Sequence, residues 1–376
     1  MRGRADNSLL GRWFWTVDRW TLLAVLTLIC FGYVMMLAAT PGVAERLGAS
    51  RDLFILKQVV FLFAAGCVTV GVSMLDQRQI RILALLGCAA ALLATAATMV
   101  VGTEIKGARR WISLPLMTLQ PSEFLKPCFA VVAAWLISEQ RRLPRFPGWI
   151  VTLGLFGIIA FLLKTQPDIG MLIVVTLVLF VQVFVAGVNM VLVAGLGGIG
   201  LALGVSAYFM FSHVRGRIDR FFDPAAADSY QITRAKEAFG AGGLYGRGPG
   251  EGRVKDILPD AHADFVFAVT GEEFGLIVCL VLLGLFAFIV LRGLLRLLAE
   301  HDLFVVLAAS GLVAGFGLQA FINMASTLAL IPTKGMTLPF ISYGGSSAIA
   351  VALGMGMLLG LTRRRHGALI PPGGLP

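Results

Sequence analysis

Ten apolar runs, each near the length that crosses a lipid bilayer, constrain this chain more than any other feature of its sequence. A transmembrane helix needs about 20 mostly apolar residues. Hydrophobic residues make up 58% of the 376 positions and charged residues only 14%, which excludes an ordinary soluble domain. We predict an all-α, polytopic integral membrane protein with about ten transmembrane helices. The runs cover residues 21–39, 55–75, 80–101, 122–139, 149–163, 169–187, 190–212, 265–291, 303–327 and 346–362.

The runs leave no separate soluble domain of any size. We predict a tail at residues 1–20, one transmembrane domain over residues 21–362, and a second tail at residues 363–376. Lys and Arg are more frequent in the connections on the side of the N-terminus, which predicts that both tails are cytoplasmic. The long loop 213–264, between spans seven and eight, is then extracytoplasmic. The net charge of +10 lies in short clusters between spans, typical of contact with lipid headgroups and not with nucleic acid.

The most unusual stretch is Gly240–Gly275, a glycine-rich polar loop that runs directly into the eighth apolar run. It places Asp260, His262 and Asp264 at alternate positions just before the membrane. An ionisable group at a membrane edge is costly to bury and marks a functional site. The alternative is that Asp264 caps the helix that follows.

Two shorter connections carry further charge. In Gly107–Pro127, Glu123 and Lys126 are three residues apart at the start of a helix, so that they share a face and can pair. They form either an internal ion pair or, with Arg110, a surface that faces a lipid-linked phosphate. Asp168 stands at the start of the sixth span, where a helix cap accounts for it.

Two more segments complete the candidate set. Arg215 belongs to a basic part of the long loop, which fits either membrane headgroups or a pyrophosphate. The segment Pro332–Ser347 has two prolines, three glycines and several hydroxyls, and it cannot form a regular helix. Such backbone at membrane depth either packs on protein or lines a polar cavity.

Together these stretches resemble the SEDS family (shape, elongation, division and sporulation proteins). The resemblance covers nearly the whole chain. It closely follows the division branch, with the elongation branch as the alternative. Ala263 departs from the family pattern, in which a Thr usually precedes the Asp. The motifs that carry the resemblance are GARRWI, QPSE with Lys126, QPDIG, GGLYGRGPGEG, ILPDAHADFVFAV with EEFG, and PTKGMTLPFISYGGSS.

The resemblance implies a peptidoglycan glycosyltransferase that polymerises lipid II, the undecaprenyl-pyrophosphate-linked disaccharide-peptide, during septal wall synthesis. It implies that Asp264 is the catalytic carboxylate, a general base toward the acceptor hydroxyl. Binding of substrate and pyrophosphate is expected from the other candidates, with Glu123 orienting Lys126. These candidates are Arg110, Glu123, Lys126, Arg215, Lys334, Ser342 and Ser346.

No metal-ligand cluster is visible in the sequence. A requirement for a divalent cation such as Mg²⁺ or Mn²⁺ is left open, and the pyrophosphate would hold part of its coordination shell. The expected partners are a cognate class B penicillin-binding protein, which is a transpeptidase, and other divisome proteins. The expected location is the division septum of the bacterial inner membrane. The rival hypotheses are a lipid II flippase and a scaffold that only docks its transpeptidase.

Overall fold

The computed structural model of the protein describes residues 8–47, 51–105, 108–114, 118–210, 215–216, 219, 227–332 and 335–363. Twelve helices lie within these residues. The helices are α1 Leu9–Thr16, α2 Arg19–Leu47, α3 Arg51–Ser73, α4 Gln77–Val101, α5 Ser122–Arg142, α6 Gly148–Thr165, α7 Ile169–Val185, α8 Met190–Met210, α9 Ala227–Gly242, α10 Val266–Leu297, α11 Leu303–Thr327 and α12 Gly345–Leu361.

Each of the ten predicted spans coincides with one helix, from α2 to α8 and from α10 to α12. Six of these helices, α2, α3, α4, α6, α10 and α11, are long and apolar enough to cross a membrane. Helices α7 and α12 are equally apolar but have only 17 residues each. The prediction of a polytopic, all-α membrane protein is confirmed.

The outer and inner helices differ in which side chains they hide. Large apolar residues such as Phe63 on α3 and Ile150 on α6 point away from the protein, as a surface in contact with lipid requires. Helices α11 and α12 are buried on most of their faces, and α5 packs against both. Polar residues inside these three helices, such as Lys126, Gln319 and Ser346, are therefore enclosed by protein.

A small antiparallel sheet accompanies the helices. It joins β1 Thr103–Ile105, β2 Ala108–Ser113 and β3 Thr118–Leu119 in that order. The Trp and Ile of β2 favour a strand, but strands of three, six and two residues are too short for hydrophobic periodicity to reveal. The sheet leads the chain from α4 to the start of α5.

The long connection between α8 and α10 also contains regular structure. Helix α9 is followed by a glycine-rich turn and by a single 3₁₀ turn at Val254–Asp256. Helix α10 is interrupted at Gly275, where φ is 80° and ψ is 179°. The break divides α10 into a short first segment, residues 266–274, and a long second segment that continues to Leu297.

Candidate active site

Asp264 lies at the end of the long loop, two residues before α10 begins, and its side chain is half-buried. Asn323 holds its backbone, and Gly335 lies beside its carboxylate. The side-chain amide of Asn323 on α11 donates to the carbonyl of Asp264 at 3.0 Å and to that of Met336 at 2.6 Å. A Cβ atom built on Gly335 would be 3.3 Å from the Asp264 Oδ2 atom. The carboxylate therefore faces the glycine of the Pro332–Ser347 segment.

Helix capping does not account for Asp264. The residue at the N-cap position of α10 is Phe265, and no side chain caps this helix end. The backbone N–H of Asp264 donates to the carbonyl of Asp260 at 3.0 Å, which closes the turn that precedes the helix. The structure therefore does not show Asp264 as the cap of α10.

Ser342 holds the same turn from the opposite side. Its hydroxyl donates to the carbonyl of Ala263 at 2.6 Å and accepts from the N–H of Leu338 at 2.7 Å. The N–H of Tyr343 donates to the carbonyl of His262 at 2.9 Å. The buried hydroxyl of Ser342 thus fixes the position of the Asp264 backbone, and its predicted contact with substrate stays a prediction.

The predicted pairing of Glu123 and Lys126 is present in the interior. The Lys126 Nζ atom lies 2.8 Å from Glu123 Oε2, and both side chains are nearly buried. Lys126 also donates to Gln319 Oε1 at 2.6 Å. Gln319 in turn donates to the Thr337 hydroxyl at 3.1 Å and to the Ser347 hydroxyl at 3.3 Å. Lys126 is therefore joined to the segment that faces Asp264.

Helix α11 connects the ion pair to Asp264. Gln319, which binds Lys126, and Asn323, which binds the Asp264 carbonyl, are four residues apart on α11. Residues four apart lie on one face of a helix, about 6 Å apart along its axis. One face of α11 thus contacts both Lys126 and the backbone of the candidate base.

Arg110 is held by the connection before α7. Its guanidinium donates to the carbonyl of Gln166 at 2.8 Å and also to that of Pro167, and it lies 3.6 Å from Asp168 Oδ1. Asp168 also accepts from the N–H of Met171 at 3.2 Å, so its predicted capping role is confirmed. Burial raises the pKa of the Asp168 carboxyl, although the charge of Arg110 opposes this effect.

Gln120 extends this network toward α12. Its side chain donates to Asp168 at 3.3 Å, and its backbone N–H donates to the Ser346 hydroxyl at 3.1 Å. Ser346 is buried and donates to the carbonyl of Thr118 at 2.9 Å. Ser346 therefore links the start of α12 to β3, and its predicted contact with substrate stays a prediction.

Of the two remaining candidates, the structure describes Arg215 but not Lys334. Arg215 is exposed, forms an ion pair with Asp219 at 3.5 Å and lies over the ring of Tyr208. None of its described contacts joins it to the surroundings of Asp264. Lys334 lies outside the described residues, although it directly precedes Gly335 in the sequence.

A cavity of about 40 Å³ adjoins the Glu123–Lys126 pair between α5, α11 and α12. Gln319 lines it on one side, and apolar residues including Phe316 and Met355 line the rest. A space of this size admits only water-sized molecules. It therefore surrounds the ion pair with apolar protein and is too small to hold a sugar ring.

Sequence reasoning did not identify Asn323, Gln319 or Gln120 as parts of the site. An Asn and a Gln four residues apart in an otherwise apolar span are a detectable signal, because polar groups inside a membrane are costly. The sequence assigns no role to Glu272 and Glu273, the acidic pair of the EEFG motif. Both are buried and bind the glycine-rich loop.

The fold and this cluster define a polytopic membrane protein with a polar site where loops meet the ends of buried helices. A profile of the family FTSW_RODA_SPOVE, described as "Cell cycle protein", matches residues 19–367. The "Probable peptidoglycan glycosyltransferase FtsW" of Caulobacter vibrioides is 44% identical over 97% of this chain and 94% of its own length. The protein of the same name from Trichlorobacter lovleyi is 35% identical over 91% and 92%.

Solved structures agree with this assignment. A chain of "Structural coordination of polymerization and crosslinking by a peptidoglycan synthase complex" is 28% identical, with a TM-score of 0.76, over 92% of this chain and 97% of that one. Thermus thermophilus RodA is 29% identical, with a TM-score of 0.68, over 92% and 96%. The chain belongs to the FTSW_RODA_SPOVE family. The predicted SEDS resemblance and the predicted enzyme class, a peptidoglycan glycosyltransferase, are confirmed by these relatives.

Proposed function

We propose that this protein polymerises lipid II into glycan strands and that Asp264 is the general base of the reaction. The observation that carries the assignment is the arrangement on α11. Gln319 binds Lys126 and Asn323 binds the backbone of Asp264, so residues one turn apart on one face of α11 contact both the buried cation and the residue that carries the half-buried carboxylate. Glycosyl transfer from a pyrophosphate donor needs both groups.

In the reaction, the acceptor sugar's 4-hydroxyl attacks the anomeric carbon of the donor. The new bond joins that oxygen to the carbon, and the bond from the carbon to the pyrophosphate oxygen breaks. Asp264 takes the proton of the hydroxyl, and the leaving pyrophosphate keeps the bonding electron pair. A base contributes only when it lies within hydrogen-bond reach of the proton. A single displacement of this kind inverts the anomeric carbon.

The leaving group needs positive charge more than it needs an acid. Lys126, whose position Glu123 and Gln319 fix, is the buried cation best placed to stabilise the developing charge. Arg110 is a second cation, held by its ion pair with Asp168 before α7. Lys334 is assigned to the pyrophosphate because it precedes the glycine that faces Asp264 in the chain.

A divalent cation is not assigned to the protein's own side chains. Among the described residues, no group of three His, Cys, Asp or Glu side chains is placed to hold a metal ion.

The same relatives support a partner and a location. The similarity to a chain of a peptidoglycan synthase complex supports a cognate class B penicillin-binding protein as the partner that crosslinks the product. The relatives named FtsW support a place at the division septum with other divisome proteins. The excess of Lys and Arg on the side of the N-terminus supports an inner-membrane orientation with both termini in the cytoplasm.

Glycan polymerisation from purified lipid II by the full-length protein, in complex with its transpeptidase, tests the proposal. Asp264→Asn should lower the rate by about 10²- to 10⁴-fold, the usual contribution of a general base. Glu251→Gln, which neutralises an exposed carboxylate of the same loop, is the matched control and should leave the rate unchanged. Rates are compared only among forms that have the same melting temperature and bind the partner equally.

An unchanged rate in Asp264→Asn would reject Asp264 as the base. If the wild-type complex makes no polymer, the polymerase assignment fails. Transfer of lipid II across vesicle membranes would then support the flippase hypothesis, and its absence would support a scaffold.

A further inference from the structure

The glycine-rich loop supplies hydrogen bonds that replace two helical ones lost at the break in α10. In an unbroken helix, the N–H of Leu276 would donate to the carbonyl of Glu272 four residues earlier. Instead it donates to Gly243 at 2.9 Å, and the N–H of Ile277 donates to Leu244 at 3.3 Å. The two carbonyls freed by the break also find partners in the loop. Those of Glu272 and Glu273 accept from Arg247 and Gly248, both at 3.0 Å.

Only glycine permits so close an approach of two backbones. At Gly246, φ is 81°, and a Cβ atom would lie 2.1 Å from the carbonyl oxygen of Glu273. At Gly275, φ is 80°, and a Cβ atom would lie 2.4 Å from the backbone nitrogen of Gly246. Both positions combine a left-handed backbone with contact distances that exclude any side chain. The loop and the break therefore form one interlocked unit.

The side chain of Glu272 adds a second attachment. Its carboxylate is fully buried and accepts three backbone hydrogen bonds, from Arg253 at 2.7 Å, Val254 at 2.8 Å and Lys255 at 3.0 Å. These N–H groups open the 3₁₀ turn of the loop. Hydrogen bonds to an ionised acceptor are roughly twice as strong as neutral ones. One carboxylate thus fixes the start of the segment that leads to Asp264.

The neighbouring residue attaches the same turn to a third element. Lys255 is buried, pairs with Glu273, and donates to the carbonyl of Ala38 on α2 at 2.8 Å. It also donates to the carbonyl of Gly250 at 3.0 Å. The turn is therefore held against both α10 and α2.

The geometry points to Glu272 as a positioning residue for Asp264, an inference that rests on the function proposed above. Asp264 stands at one end of the short first segment of α10, and Glu272 lies near its other end, about 12 Å away at 1.5 Å per residue. The chain runs from the 3₁₀ turn, which Glu272 binds, to Asp264, and the first segment of α10 then leads from Asp264 back to Glu272. Because Gly275 separates this segment from the rest of α10, the loop contacts replace helix continuity in fixing its position.

The inference predicts a loss in kcat with little change in KM. A displaced base impairs the chemical step, and a shift of about 1 Å far from the chemistry can lower a rate about 100-fold. In Glu272→Gln one oxygen still accepts from Arg253 and Val254, but an NH₂ group faces the N–H of Lys255. We expect kcat to fall about tenfold in Glu272→Gln and about 100-fold in Glu272→Ala, with KM for lipid II within about twofold.

The experiment combines steady-state polymerisation with hydrogen exchange, both on the full-length protein in its transpeptidase complex. Rates are expressed per folded molecule, and Glu251→Gln is the control, since Glu251 is an exposed carboxylate of the same loop. Mass spectrometry should show faster amide exchange in residues 253–264 of Glu272→Gln, with unchanged exchange in α11. The control should match the wild type in kcat and in exchange.

Two results would overturn the inference. One is a kcat per folded molecule that stays at the wild-type value in both Glu272 variants. The other is a fall in kcat without any change in exchange at residues 253–264. Failure of the proposed function is a separate result, because it would appear as full activity in Asp264→Asn whatever the Glu272 variants do.

Discussion

An aspartate lies near each end of helix α10, and the two residues have different surroundings. At the far end, Asp18 is 2% exposed and enclosed by arginine. It accepts two hydrogen bonds from Arg292 at 2.8 Å each, lies 3.0 Å from Arg296 and accepts from Thr21 at 2.7 Å. At the near end, Asp264 is half-buried in a turn, and its backbone takes most of the described hydrogen bonds.

The difference lies in which atoms are fixed. At Asp18 the carboxylate itself is saturated by two guanidinium groups on one helix, so the charge ties α2 to α10. Near Asp264, the side chains of Asn323 and Ser342 bind main-chain carbonyls. They fix the position of the residue and leave its carboxylate facing Gly335. The first arrangement stabilises the fold, and the second fixes the backbone of the residue that we propose as the base.

After Asp264→Asn, the largest loss of activity is expected at Lys126. Lys126→Met should lower polymerisation by about 10²- to 10³-fold, the range observed when one group that stabilises transition-state charge is removed. The variant also leaves Glu123 as an uncompensated buried charge, which lowers stability. The double variant Glu123→Gln with Lys126→Met removes both charges. It should recover the melting temperature without recovering the rate, and recovery of both would assign the pair to stability alone.

The next effect is at the opposite end of α10. Asp18→Asn should lower the free energy of unfolding by about 2 kcal/mol. This is less than the ~3–5 kcal/mol for a fully buried pair, because both arginines are partly exposed. Activity per folded molecule should stay at the wild-type level. Thermal unfolding in detergent measures the change.

Arg142→Gln is the control for that variant, because it breaks a more exposed ion pair with Asp302 at 3.8 Å. It should change the free energy of unfolding by less than about 1 kcal/mol. A loss of activity in Asp18→Asn at full folding would remove the distinction between the two ends.

The sequence predicted those contacts and elements that depend on residues close together in the chain. The spacing of Glu123 and Lys126 on a helix implies their contact, and Asp264 is conspicuous as a carboxylate directly before an apolar run. The helices followed from run length in the same way. Each of these inferences uses residues that are close together in the chain.

Long-range partners could not be predicted in this way. Asn323 is 59 positions from Asp264, and Gln319 is 193 positions from Lys126. Their roles depend on how α11 packs against the rest, which no local pattern contains. Glu272 is a similar case, since its partners lie in a loop that meets α10 only because Gly275 breaks the helix.

A smaller effect is expected from the glycine beside the candidate base. In Gly335→Ala, the new Cβ atom would lie 3.3 Å from Asp264 Oδ2, so the carboxylate must move by a few tenths of an ångström. We expect polymerisation to fall several-fold with an unchanged melting temperature, since catalysis is more sensitive to such shifts than packing is. Gly284→Ala on α10 has open space around it and should match the wild type. Equal rates in all three proteins would show that the carboxylate does not need its place against Gly335.

The smallest effect is the pH dependence of stability, which should have opposite signs at Asp18 and at Asp168 in the site. Burial favours a higher pKa for Asp18, but hydrogen bonds from Arg292 and Thr21 and the charge of Arg296 together lower it. Its stabilising contribution is therefore complete above the unfolded pKa of about 3.9 and is lost as the pH falls through the lower folded value.

The pKa of Asp168 is raised by burial, so its charged form is penalised in the folded protein. Stability should therefore increase as the pH falls through its raised folded pKa toward about 3.9. Unfolding of wild type, Asp18→Asn and Asp168→Asn is compared between neutral and acidic pH. We take the free energy of unfolding of the wild type minus that of the variant. As the pH falls, this difference should decrease for Asp18→Asn and increase for Asp168→Asn. If the difference changes in the same direction for both residues, the surroundings of Asp168 stabilise its charged form as the arginines stabilise that of Asp18. The contrast between the two aspartates would then not hold for Asp168.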